Sequence, residues 1–215
     1  MGKNMETIYI VDDDPLVREG LSSLLRVNGK NVLLFTCGAD FLRFERDDTP
    51  ACLVVDLQLP GLNGLDVQRL VAATLPIIFL SGRGDIASTV KAMKAGASDV
   101  LSKPVDEARV LSAVERALYQ NRISRSDAVR HADVLERYRS LTPREQDVLP
   151  LLAKGKLNKK IAADLGITEY TVQVHRGNIM RKMKADSFAA LVRMTETLKP
   201  ESAQTNFREA TGASN

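Results

Sequence analysis

The sequence predicts two folds in tandem. A doubly wound α/β domain on a five-stranded parallel sheet comes first. A helical linker and an all-α domain of four short helices follow. Three observations carry this reading. Short apolar runs alternate with stretches of helical period through roughly the first 120 residues, the pattern of repeated βα units. No strand pattern recurs after Asp106. The charge also divides: residues 1–121 hold 13 Lys and Arg against 16 Asp and Glu, whereas 122–215 hold 17 against 11. An acidic front and a basic back point to separate tasks, the second one facing a polyanion.

The predicted strands are Thr7–Val11, Asn31–Phe35, Ala51–Val55, Pro76–Leu80 and Ser98–Leu101. They are rich in Val, Ile and Leu on consecutive residues, as parallel strands covered on both faces are. Helical stretches fall between and after them, at 15–27, 39–46, 64–74, 86–95 and 106–119. In such sheets the working residues lie at the carboxyl ends of the strands. Apolar residues then continue at mostly helical spacing, from Val110 through Tyr138, around a polar interval at Gln120–Asp127 that predicts a break or bend. The expected organisation is a domain over 6–120, a helical linker over 121–138, a helical domain over 139–198 and a disordered tail over 199–215. The four helices of the back domain are expected at 143–153, 158–165, 169–183 and 187–198.

Composition narrows the function classes. The 215 residues are 44% hydrophobic, which excludes wholesale disorder. With no Trp and only 5% aromatics, the cores must be aliphatic. Two cysteines, Cys37 and Cys52, make neither a disulfide framework nor a four-cysteine zinc site. No apolar core of a signal peptide follows Met1–Glu6, and the longest apolar runs are too short to cross a bilayer. A reduced, cytoplasmic protein without membrane partners is expected.

Four features fall at or near predicted strand ends. Asp12 and Asp13 follow the first strand, Asp56 the third, Ser81 the fourth, and Lys103 with Pro104 comes shortly after the fifth. Asp14-Pro15 reads as a helix N-cap with proline at the first helical position. Each of the others, taken singly, is compatible with a solvated turn or a surface charge. Their order on one rim of the sheet is what argues for a site. Two unit charges about 4 Å apart repel by roughly 4 kcal/mol at an effective dielectric near 20. Mg2+, which favours carboxylates, carbonyls and retained waters, removes that cost. A carboxylate beside Mg2+, a hydroxyl and a lysine can attack phosphorus and become an aspartyl phosphate.

Ile10-Val11-Asp12-Asp13-Asp14, Val54-Val55-Asp56-Leu57-Gln58-Leu59-Pro60-Gly61 with Gly64, Leu80-Ser81-Gly82 and Ser102-Lys103-Pro104 resemble the flavodoxin-like receiver domain of two-component response regulators, over residues 6–120. The resemblance implies that Asp56 accepts a phosphoryl group from a sensor histidine kinase. It implies Mg2+ ligands in Asp13, Asp56 and the backbone carbonyl of Gln58, with Asp12 assisting through water. Ser81 would follow the phosphoryl group, Lys103 would pair with its oxygens, and the bond before Pro104 would be cis. Receivers commonly carry an aromatic residue three positions before the lysine. Here that position is Val100, so the switch is expected to depend on movement of the Ser81–Ala87 loop, which Gly82-Arg83-Gly84 makes easy to move.

Residues 139–198 carry 11 Lys and Arg against 6 Asp and Glu. Thr142-Pro143-Arg144-Glu145 is a helix start with a capping box. Leu165-Gly166-Ile167-Thr168 is a tight turn between a short helix opening at Asn158 and a basic helix capped by Thr168. That layout is a helix-turn-helix. In the second helix Val172, Ile179 and Met183 should face inward, leaving Gln173, Arg176 and Gly177 off that stripe and Val174 near its border. Gln can bond adenine, Arg can bond guanine or phosphate, and Val can touch a thymine methyl.

Leu141-Thr142-Pro143-Arg144-Glu145, Asn158-Lys159-Lys160-Ile161-Ala162 and Thr171 to Ile179 resemble the LuxR-type helix-turn-helix. Together the halves are similar to the FixJ-like branch of response regulators. That resemblance implies a transcription regulator that dimerises on phosphorylation, binds promoter DNA and works with RNA polymerase. By the same resemblance it would not be a dedicated enzyme, catalysing only its own Mg2+-dependent phosphorylation and slow dephosphorylation. Gln173, Val174, Arg176 and Gly177 would occupy the groove-facing positions, and Lys159, Asn178 and Lys182 are candidate phosphate contacts. One rival is a phosphohydrolase of the haloacid dehalogenase kind, whose Asp-x-Asp is imitated by Asp12–Asp14. It needs acidic residues at a strand end after the lysine, and none is evident beyond Lys103. The other rival, a binding-only regulator with a pseudo-receiver, does not account for a complete pocket.

Overall fold

The computed structural model describes residues 6–82 and 85–198. The expectations for the 199–215 tail and for Arg83 and Gly84 lie outside these residues. The chain divides into two compact units at Ser126–Asp127.

The first unit holds five strands, β1 (Thr7–Val11), β2 (Asn31–Phe35), β3 (Ala51–Asp56), β4 (Ile77–Ser81) and β5 (Asp99–Ser102). All neighbours are parallel, in the order β2-β1-β3-β4-β5. The strand order reverses at β1, so the crevice beyond the ends of β1 and β3 is the topological switch point. Helices α1 (Pro15–Val27), α2 (Gly38–Arg43), α3 (Gly64–Val71), α4 (Ile86–Lys94) and α5 (Glu107–Arg139) complete the βα units.

Alternate strand residues feed two cores. Ile8, Ile10, Val54, Ile78 and Leu80 pack with Leu21 and Leu25 of α1 and Val110, Val114 and Leu118 of α5. Tyr9, Val11, Leu53, Val55, Ile77 and Phe79 pack on the other face with Phe41 of α2, Val67 and Val71 of α3 and Ala92 of α4. Each large aliphatic side chain taken fully out of water contributes about 1.5–3 kcal/mol, so the sheet holds its strand ends in fixed register. Asn121, itself buried, accepts from the Ala51 N–H at 3.0 Å and donates to the Thr74 carbonyl at 3.2 Å.

Helix α5 departs from expectation. The break anticipated at 120–127 is absent, and the helix is assigned continuously over 33 residues. The sequence of α5 contains neither Gly nor Pro, so nothing obliges it to stop. Residues 126–133 are exposed on every side. There, ion pairs of the helix surface, Arg130–Asp127 and Arg137–Asp133, support it in place of a buried face.

The second unit contains α6 (Pro143–Ala153), α7 (Asn158–Leu165), α8 (Glu169–Lys182) and α9 (Phe188–Thr197). Their core joins Leu141, Val148, Leu149, Leu152, Ile161, Val172, Ile179, Met183 and Leu191. Gly166 ends α7 at φ +65, a left-handed conformation that favours glycine, and Thr168 caps α8 by accepting from the Thr171 N–H at 3.1 Å.

Candidate functional sites

The carboxyl ends of the strands assemble the acidic pocket. Asp12 directly follows β1, and Asp56 and Ser81 are the last residues of β3 and β4. Lys103 directly follows β5, and its N–H donates to the Ser81 carbonyl at 2.8 Å. Asp12 is fully buried, Asp56 and Ser81 are nearly so, and Asp13 is exposed. The Lys103 ammonium donates to Asp12 Oδ2 at 2.7 Å and also to Asp56 Oδ2. The remaining oxygen of each carboxylate takes a backbone N–H: Asp14 donates to Asp12 Oδ1 at 2.9 Å, and Gln58 to Asp56 Oδ1 at 2.8 Å. The bond between Lys103 and Pro104 is cis.

Burial pushes the Asp12 carboxyl up from its ordinary range, and the hydrogen bonds from Lys103 and Asp14 oppose this without cancelling it. Burial likewise disfavours charge on Lys103, but its bonds to Asp12 and Asp56 outweigh the loss and hold the ammonium above its ordinary value. Asp12, Asp13 and Asp56 each present a carboxylate oxygen, all within 4.8 Å of one another. An all-oxygen donor set of this size suits a hard divalent cation such as Mg2+.

Of four further neighbours of the pocket, Arg18, Thr89 and Asp85 carry no signal in the sequence, whereas Gly64 belongs to the motif around Asp56. Arg18 donates to the Asp12 and Asp13 carbonyls at 2.7 and 3.1 Å, fixing the loop that carries them. Ser81 Oγ lies 3.5 Å from Thr89 Oγ1 of α4. Asp85 caps α4 and accepts from Gln58 Nε2 at 3.3 Å. Gly64 permits a close approach: a Cβ there would stand 2.4 Å from the Asp56 carbonyl oxygen. The spacing of Asp12, Asp56 and Ser81 along the chain finds strand ends. It does not reveal side chains that reach in from helices.

In the second unit the expected residues divide by side of α8. Gln173, Val174 and Gly177 are exposed. Gln173 Oε1 accepts from Asn158 Nδ2 at 2.8 Å, and Asn178 Oδ1 accepts from Arg181 at 3.1 Å. Lys159 is exposed near the start of α7. Two residues are engaged within the domain. The Arg176 guanidinium lies over the Phe188 ring, 5.3 Å from its centroid. Lys182 pairs at 2.7 Å with Glu145 Oε2, a nearly buried carboxylate of α6. Glu145 also completes the capping box with Thr142. Burial works against ionising Glu145, but the bonds from Lys182 and Thr142 prevail and hold its carboxyl below the usual range.

A pocket of carboxylates and one lysine at the strand ends of a doubly wound sheet, followed by a helix-turn-helix, defines a class: a signal receiver joined to a DNA-binding domain. Residues 8–115 match the family model of the response regulator receiver domain, and residues 139–195 match that of bacterial regulatory proteins of the luxR family. The chain belongs to the two-component response regulators with a LuxR-type DNA-binding domain, and its function is regulation of transcription. It is 46% identical over 202 residues to the response regulator protein TodT of Pseudomonas putida strain F1, covering 93% of this chain and 89% of that protein. It is 39% identical over 191 residues to the transcriptional regulatory protein FixJ of Rhizobium meliloti, covering 87% and 94%. Among solved structures, that of the response regulator StyR is 44% identical and superposes with a TM-score of 0.77, covering 89% of this chain and 98% of the other. Full-length FixJ from B. japonicum is 35% identical with a TM-score of 0.53, covering 89% and 96%. No helix among the described residues is long and apolar enough to cross a membrane.

Proposed function

We propose that Asp56 is the phosphoacceptor of a sensor histidine kinase in the cytoplasm. The observation that carries the reading is the Lys103 ammonium bridging Asp12 and Asp56 at the switch point of the sheet. An Asp56 oxygen attacks phosphorus, an O–P bond forms, and the bond from phosphorus to the kinase histidine breaks. Asp12, Asp13, Asp56 and the Gln58 carbonyl would hold Mg2+, which offsets the negative charge of the incoming group. Lys103 moves from the carboxylates to the phosphoryl oxygens. Ser81, whose hydroxyl donates to the Gly82 carbonyl at 3.2 Å, turns toward the phosphoryl group. Beyond its own phosphorylation and slow dephosphorylation the chain turns over no substrate.

The output is dimerisation, promoter binding through α8 and contact with RNA polymerase. Helix α4 offers the coupling face with β5. Ile86, Val90 and Met93, spaced i, i+4 and i+7, are 75%, 46% and 48% exposed. Two half-sites held by one dimer raise effective concentration without a new base contact. Gln173, Val174 and Gly177 face the groove, and Lys159 and Asn178 approach phosphates.

Intact mass after incubation with a small phosphodonor and Mg2+ tests the acceptor. Wild type gains one phosphoryl group and Asp56→Asn gains none. Retention of the wild-type rate in Asp56→Asn would refute the assignment. Sedimentation with and without phosphodonor tests the output, and a chain equally dimeric in both states would exclude dimerisation as the route.

A further inference from the structure

The outward face of α8 is not the set of residues that motif position selects. Val172 and Ile179 are fully buried and, with buried Met183 just beyond the helix, mark the inward direction. At 3.6 residues per turn, Arg176 lies only about 40° from Val172 around the axis. Its partial burial and its contact with Phe188 agree with that flank. On the opposite side, between about 140° and 200° from Val172, stand Tyr170, Val174, Gly177 and Arg181. These four are spaced i, i+4, i+7 and i+11, and all are exposed.

Tyr170 is the most telling of them. The residue is 78% exposed at the second position of the helix, where burial in the domain contributes little. The residue beyond Val174 on this face is Gly177, where a Cβ would meet nothing within 4 Å. The middle of the face is therefore flat, with an aromatic ring at one end and a guanidinium at the other. Recognition helices place their N-terminal residues against base edges. A phenol there can hydrogen-bond a base edge while its ring meets the thymine methyl. Arg181, three turns along, stands toward the opposite end of the helix, where a phosphate is the natural partner.

We propose that α8 enters the major groove on the face Tyr170–Val174–Gly177–Arg181, that Tyr170 is a specificity-determining residue, and that Arg176 braces α8 against Phe188 instead of reading a base. The inference rests on α8 being the DNA-reading helix, and the occupant of this face is duplex DNA.

The test uses the full chain, phosphorylated, and a duplex it enriches from a randomised library, with a scrambled duplex as control. Tyr170→Ala, Tyr170→Phe, Arg176→Ala and Arg181→Ala are compared after circular dichroism shows unchanged helix content. Tyr170→Ala is expected to lower the ratio of selected to scrambled affinity roughly tenfold. A repeated enrichment with this variant should lose preference at one base position. Tyr170→Phe keeps the ring contact and falls in between. Arg181→Ala weakens both duplexes alike and flattens the salt dependence by about one unit. Arg176→Ala keeps the wild-type ratio and lowers the melting temperature. An unchanged ratio in Tyr170→Ala, or a loss of selectivity in Arg176→Ala as large as that expected of Tyr170→Ala, overturns the assignment. Tyr170→Ala that binds DNA normally but fails in transcription would give this face to a protein partner. A wild-type chain that enriches no sequence would refute base reading by α8 itself.

Discussion

The acidic pocket of the receiver and the outward face of α8 are built in opposite ways. The pocket collects Asp12, Asp56, Ser81 and Lys103 from the ends of four strands, and only the sheet brings them together. Asp12 and Asp56 are buried and share the Lys103 ammonium, so a change at one of these three alters the charge balance of the others. The outward face of α8 is local. It takes its residues from successive turns of one helix, and each is exposed independently. Function is therefore brittle in the first region and divisible in the second, where well-separated changes add.

Lys103→Met strikes the brittle side hardest. Without the ammonium, Asp12 and Asp56 face each other nearly out of water, and removing one partner of a buried ionic set costs about 3–4 kcal/mol. Urea unfolding of the full chain without divalent ions should show that loss in the receiver transition, and added Mg2+ should restore more stability than it adds to wild type. Equal Mg2+ effects would show that the lysine does not balance this charge. Gly64→Ala comes next. A Cβ 2.4 Å from the Asp56 carbonyl forces the loop to move, an overpacking penalty of about 2–3 kcal/mol. The same unfolding curves read it, and a change below about 0.5 kcal/mol would mean that the approach is soft.

In the helical domain, Glu145→Ala removes both the capping box and the Lys182 pair, at a cost of about 1–2 kcal/mol once the partial exposure of Lys182 is discounted. Its pH dependence has a definite sign. The carboxyl is held below its unfolded value, so its contribution is complete above the ordinary carboxylate range and disappears as pH falls through the depressed folded value. Thermal melts of wild type and Glu145→Gln should converge on acidification; a constant gap would refute the linkage. The smallest effect separates two lysines in DNA titrations at several salt concentrations. Lys159→Ala should flatten the salt dependence by about one unit, whereas Lys182→Ala, already paired inside the domain, should leave it unchanged. Equal slopes would erase the distinction.

Strands were readable almost to the residue because continuous Val, Ile and Leu runs have few alternatives to a covered parallel sheet. The residues at their ends followed from that. What escaped had no periodic trace. Helix α5 crosses a polar interval because intrinsic propensity and surface ion pairs suffice there, while periodicity reports only buried faces. Arg176 has chemistry that suits guanine, and only the tertiary fold shows its guanidinium lying over the Phe188 ring. Lys182 carried the right charge for phosphate, and only the tertiary fold shows it closing on Glu145.

The single oxygen Glu145 Oε2 accepts both from the Thr142 N–H at 2.8 Å and from the Lys182 ammonium at 2.7 Å. The first turn of α6 and the last turn of α8 thus hang on one atom. Neither end can fray without releasing the other's partner, so the two termini form one opening unit despite lying 37 residues apart in the chain. Amide hydrogens in those two turns should exchange with a common protection factor, and acid should loosen both at once.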